Sequence, residues 1–144
     1  MNRNPAIWTT YIRSSIWKTG RIVLDNIELL NFPKSYESAV CSSIDDGIQI
    51  GSGMELEVNH SVFRGFGTAI VSFHDSPSGE MSDEPRMTIR NSYFYHNCRA
   101  IMAQRLQLVN TKIEKNAIGV FVSGNASMKD TIIAEQDATS RCLP

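Results

Sequence analysis

Met87-Thr88-Ile89-Arg90-Asn91-Ser92-Tyr93-Phe94-Tyr95-His96-Asn97-Cys98-Arg99-Ala100-Ile101 is the stretch whose reading decides the fold. Its first four residues alternate apolar and polar, the period-two pattern of a strand with one buried face. Asn91 ends the run, and Asn tolerates the left-handed backbone conformation that a sharp corner requires. Beyond it, Tyr93 and Tyr95 flank Phe94, so alternation turns both tyrosines toward solvent. A further apolar run begins at Ala100-Ile101.

The pattern recurs on both sides. Leu24-Asp25-Asn26-Ile27-Glu28-Leu29, Val58-Asn59-His60-Ser61-Val62-Phe63, Ile89-Arg90-Asn91-Ser92-Tyr93-Phe94, Leu108-Val109-Asn110-Thr111-Lys112-Ile113 and Met128-Lys129-Asp130-Thr131-Ile132-Ile133 share one template. Their leading residues are spaced by 34, 31, 19 and 20 positions. Such a period is the mark of a repeat architecture, in which each unit buries its apolar face only against its neighbours. Leu24, Val58, Ile89, Leu108 and Met128 are expected to form one interior row, and Leu29, Phe63, Phe94, Ile113 and Ile133 another. Asn26, Asn91, Asn110 and Asp130, with His60 as the exception, are expected to stack at a polar corner beside the hydroxyls of Ser61, Ser92, Thr111 and Thr131. The longer spacings carry insertions at 33–53 and 74–85, the second rich in Pro, Gly, Ser and acids and therefore a loop.

The Met87–Ile101 stretch resembles the right-handed parallel β-helix repeat of the pectin-lyase-like superfamily, a likeness that covers roughly residues 20 to 135. It implies an all-β, right-handed parallel β-helix of about five rungs. The expected organisation is a single domain over 1–144. Residues 1–20, with Trp8, Ile12, Ile16 and Trp17, form a cap or imperfect rung, 21–135 the rungs and 136–144 a tail. Exposed strand edges at the two ends of a solenoid need covering. Self-association into a homo-oligomer through the ends or faces is therefore expected.

Composition narrows the function classes. The formal net charge is −1 and the fourteen basic residues are scattered, which argues against a nucleic-acid footprint. No apolar run reaches the roughly 18 residues of a membrane span. The first residues lack the apolar core of a secretory signal, so the expectation is a cytoplasmic chain or part of a larger protein. Cys41, Cys98 and Cys142 are odd in number and lack CxxC spacing, so reduced, packed thiols are expected.

Candidate chemistry centres on Ser43-Ile44-Asp45-Asp46-Gly47-Ile48-Gln49-Ile50-Gly51-Ser52-Gly53. This segment resembles polygalacturonase-type glycoside hydrolases, in which adjacent aspartates precede a strand and a Gly-Ser-Gly turn. That resemblance implies Asp45 and Asp46 as a catalytic pair, because inverting hydrolysis needs one carboxyl to protonate the leaving oxygen and another to activate water. The remaining pattern departs from the family. The Asn-Thr-Asp expected one rung earlier is missing, and Gly65-Phe66-Gly67 carries Phe where the family has His. The acidic loop Asp75, Glu80, Asp83 and Glu84 matches no calcium-loop spacing, and His60, His74 and His96 imply no two-His site, so no metal and no cofactor are expected. Tyr93 and Tyr95, with Arg90, are the candidate ligand-binding residues, because aromatic faces on a flat sheet suit stacking against sugar rings. The expected function is a small binding or assembly module, with carbohydrate as the candidate ligand and without an intact catalytic apparatus. The alternative is a polysaccharide hydrolase or lyase using the aspartate pair.

Overall fold

The computed structural model describes residues 12–13, 20–31, 46–73 and 84–134. All regular structure among them is β, and every strand pair is parallel. The strands begin β1 (Ile12–Arg13), β2 (Gly20–Asp25), β3 (Glu28–Leu30), β4 (Asp46–Ile50), β5 (Met54–Asn59) and β6 (Val62–Arg64). They continue β7 (Thr68–Ser72), β8 (Arg86–Arg90), β9 (Tyr93–Tyr95), β10 (Arg99–Val109), β11 (Lys112–Glu114), β12 (Ile118–Lys129) and β13 (Ile132–Ala134).

These strands make two separate sheets, and the chain passes from one to the other at each repeat. In the larger, the ladders β1–β4–β7 and β2–β5–β8 both join β10, and β12 pairs along the far side of β10. The smaller runs β3–β6–β9–β11–β13. β10 and β12 are unbroken where an earlier pass is interrupted by the Gly51–Gly53 turn between β4 and β5. One bulge sets Ser123 and Gly124 opposite Gln104. A Cβ at Gly124 would lie 2.4 Å from the Gln104 carbonyl oxygen, so only glycine fits there.

The register joins the residues that the template aligned. Leu24, Val58, Ile89, Leu108 and Met128 are successive partners in the larger sheet. Leu29, Phe63, Phe94, Ile113 and Ile133 are successive partners in the smaller. Val58, Ile89, Leu108, Phe63, Phe94 and Ile113 are fully buried. Phe63 and Phe94 stack with ring centroids 4.7 Å apart and planes within 6°. Each such side chain contributes about 1.5–3 kcal/mol by leaving water, so these two rows are the main apolar support of the fold.

Two corners link the sheets. At the first, Asn26, His60, Asn91, Asn110 and Asp130 all have φ between 45° and 54°. Asn110 Nδ2 donates to Asn91 Oδ1 at 2.8 Å, while His60 Nδ1 lies 3.2 Å from Asp25 Oδ1. The adjoining hydroxyls close the turn, since Ser61, Ser92, Thr111 and Thr131 each donate to the carbonyl two residues earlier. At the second corner, Gly65, His96 and Lys115 take positive φ. Gly65 meets the tightest constraint, because a Cβ there would sit 2.1 Å from the Asn31 carbonyl oxygen.

Behind that corner lies a buried amide ladder. Asn97 Oδ1 accepts from Phe66 N, and Asn116 Oδ1 accepts from Asn97 N at 2.9 Å. Asn97 Nδ2 donates to the carbonyls of Phe63 and Tyr95, and Asn116 Nδ2 to those of Phe94 and Glu114. Buried amides that donate and accept at every turn satisfy backbone groups that would otherwise be stranded.

One expectation is corrected here. Cys98 is disulfide-bonded, not a reduced thiol, and its partner lies outside the described residues. Odd cysteine number and missing CxxC spacing could not reveal a bridge between residues distant in the chain. Trp8, Ile16, Trp17 and the 136–144 tail also lie outside the described residues; Ile12 falls in β1, which pairs with β4.

Candidate functional site

The most chemically distinctive surface is the outer face of the smaller sheet. Its strands are only three residues long, so the middle residue points inward and the two flanking residues outward. In β9 the inward residue is Phe94, and Tyr93 and Tyr95 stand outside with rings stacked 4.6 Å apart at 15°. Neighbouring strands supply charges in register. Lys112 follows Tyr93 in one column, while Arg64 and Glu114 flank Tyr95 in the other.

Each charge touches the aromatic pair. The Arg64 guanidinium carbon lies 5.3 Å from the Tyr95 ring centroid, and Lys112 Nζ lies 5.5 Å from that of Tyr93. Such cation–π contacts contribute about 0.5–1 kcal/mol at exposed sites. The Tyr93 hydroxyl donates to Glu114, whose other oxygen is 3.0 Å from Lys112 Nζ. Burial, and then the Glu114 bond, push the Tyr93 hydroxyl up to about 12, so it remains a donor across the physiological range. The Tyr93 bond, followed by the one from Lys112, holds Glu114 below its usual range. His96 meets Tyr95 edge-on at 5.3 Å.

Beside this platform, at the first corner, is an open recess of about 450 Å³ lined by His60, Asn91, Tyr93, Asn110, Lys112 and Ile132, among others. An apolar aromatic face next to amides, a cation and a carboxylate can stack on a flat ligand while bonding its hydroxyls.

Tyr93 and Tyr95 are thus brought together on one face. Arg90 closes β8 in the larger sheet, in register with Asn59 and Val109, on the other side of the Asn91 corner from the tyrosines. Its carbonyl accepts from His60 N and from Ser92 Oγ. Asp46 opens β4 and accepts from Gln49 Nε2 at 2.5 Å; Asp45 lies outside the described residues. Phe66 is buried in the core. Of the 74–85 loop, His74, Asp75, Glu80 and Asp83 lie outside the described residues, while Glu84 pairs with Arg105 at 3.1 Å. Among the described residues no group of three or more His, Cys, Asp or Glu is placed to hold a metal ion, and no helix is long and apolar enough to cross a membrane.

Sequence reasoning missed Arg64, Lys112 and Glu114. The signal was present, since Lys112 and Glu114 stand nineteen residues after Tyr93 and Tyr95, at the same template offsets. Compared with family models, with curated proteins and with solved structures, the chain gives no match.

Proposed function

We propose that the two sheets are faces of one right-handed parallel β-helix of about five rungs, of the pectin-lyase-like kind, and that the chain is a binding or assembly module whose outer tyrosine face takes carbohydrate. The rung reading is supported by the alternation of the chain between sheets and by interior partners that recur at one template position. The ligand reading is carried by a single observation, the co-stacked Tyr93 and Tyr95 with Arg64 and Lys112 against their rings. Stacked aromatics present a flat apolar surface that matches the CH-rich face of a pyranose. The adjacent cations favour a sugar that carries a carboxylate over a neutral one.

The test is calorimetric titration with neutral and uronate oligosaccharides, using the wild type and Tyr95→Ala. A saturable uronate signal that weakens in the variant supports the reading. Equal failure of every saccharide to bind wild type overturns it. Reducing-sugar and unsaturated-uronide assays on the same panel, with Asp45→Asn and Asp46→Asn, test the hydrolase alternative. Turnover that either substitution abolishes would replace the binding-module reading.

A further inference from the structure

The outer tyrosine face contains a carboxylate of its own. β11 is three residues long, so Lys112 and Glu114 point outward on either side of the buried Ile113. Register places them beside Tyr93 and Tyr95 of β9 on one side and beside Ile132 and Ala134 of β13 on the other. Among these described neighbours Glu114 is the one anion. One of its oxygens accepts from the Tyr93 hydroxyl, and the other lies 3.0 Å from Lys112 Nζ. Lys112 Nζ also stands 5.5 Å from the Tyr93 ring centroid, so ring, cation and carboxylate close on one another. We propose that Glu114 sets the charge specificity of this face, by holding Lys112 as an internal ion pair and so withholding that cation from the carboxylate of a bound uronate.

Exposure shows which member of the pair a ligand meets. The Lys112 side chain is 50% exposed and that of Glu114 14%. A ligand lying on the rings therefore reaches the ammonium, but finds its charge already answered by the more covered carboxylate. The Tyr93 bond, and then the Lys112 bond, hold the Glu114 carboxyl below its usual range, so it keeps its charge at neutral pH. Lys115, at the second corner, adds the weakest of the pulls on it. A second carboxylate brought to Lys112 must share the ammonium donors with Glu114 and stand close to a like charge. β13 offers no charge in register to offset that opposition, since Ile132 and Ala134 lie opposite the pair. A neutral saccharide presents hydroxyls to the same groups without adding charge. A repulsive group of this kind discriminates by penalising one ligand class more than another.

The role of Glu114 rests on the tyrosine face being the saccharide site, and separate variants report on each. Calorimetric titration compares one uronate oligosaccharide with its neutral counterpart, using wild type, Glu114→Gln, and Glu114→Gln combined with Lys112→Gln. Glutamine keeps an acceptor for the Tyr93 hydroxyl and removes the charge. Glu114→Gln is expected to bind the uronate about three- to fivefold more tightly, the scale of one exposed ion pair, with the neutral oligosaccharide unchanged. The double variant replaces the pair by two neutral amides and should return uronate affinity to the wild-type level. Glu114→Ala, with its fold checked by circular dichroism, should shift uronate affinity in the same direction as Glu114→Gln. An unchanged or weaker uronate affinity in Glu114→Gln overturns the role of Glu114, while wild-type binding that Tyr95→Ala weakens leaves the site standing. Equal tightening for both saccharides, or a gain that survives in the double variant, overturns it as well. Failure of wild type and Glu114→Gln alike to bind any saccharide overturns both the role and the site.

Discussion

The protein has two outer faces built on the same register, and they carry different chemistry. On the larger sheet, Arg21 pairs with Glu57 at 2.7 Å, Arg86 with Glu55 at 3.6 Å and Arg105 with Glu84 at 3.1 Å, and Arg86 and Arg105 line a recess of about 350 Å³. On the smaller sheet, charges gather on two stacked rings beside a recess of about 450 Å³. Opposite charges on adjacent strands neutralise one another and leave a well-hydrated wall. Cations over aromatic rings leave a partly dehydrated platform with bonding capacity at its rim. A recess by itself therefore says little; the groups held against its wall decide whether it has something to bind.

The largest expected effect comes from beneath the aromatic face. Asn116 is fully buried and bonds the carbonyls of Phe94 and Glu114, directly behind β9 and β11. Asn116→Ala strands those groups and should cost about 2–4 kcal/mol, read from urea unfolding. A cost like that of an exposed residue would mean that the buried ladder does not support this face. Next is Tyr95→Ala, which removes half of the platform. It should weaken uronate binding about tenfold, near 1.4 kcal/mol, with the fold retained. An unchanged affinity would erase the contrast between the faces.

Titration gives a smaller, directional effect. The Tyr93 hydroxyl, raised to about 12, has a folded value above its ordinary value near 10. Its stabilising contribution is therefore full below pH 10 and is lost as pH rises through about 12. Glu114 has the opposite sign. Its contribution is present above the ordinary carboxyl value and is lost as pH falls through its lowered one. Ultraviolet titration of the phenolate should find Tyr93 ionising late in the wild type and earlier in Glu114→Gln. No difference would remove the Tyr93–Glu114 bond from the account. The smallest effect is on the paired wall, where Arg86→Ala should change stability by no more than about 0.5 kcal/mol and leave saccharide binding alone. A large loss of binding there would move the site to the larger sheet.

Much of this frame was legible in the sequence because burial and backbone conformation repeat at fixed offsets. Ile89 and Leu108 lie in one interior row, and Asn91 and Asn110 sit at one left-handed corner, since alternation and the αL tolerance of Asn are local properties. The second corner was harder to read. Its positive-φ positions hold Gly65, His96 and Lys115, three residue types with no shared signature. The buried Asn97 and Asn116 recur nineteen residues apart, but Phe66 occupies that position one pass earlier and breaks the column. Arg90 shows the limit for the candidate site. It lies close to Tyr93 in sequence, yet the intervening corner carries it to the other sheet. Lys112 and Arg64 reach the tyrosines through register, which only the paired strands reveal.

The most direct test of the central claim is a chemical-shift map of the labelled protein during titration with a uronate oligosaccharide. Saturable shifts are expected at Tyr93, Tyr95, Arg64 and Lys112, with Arg86, Thr88, Arg105 and Gln107 unmoved. Shifts centred on that second group, or none at saturating saccharide, would contradict it.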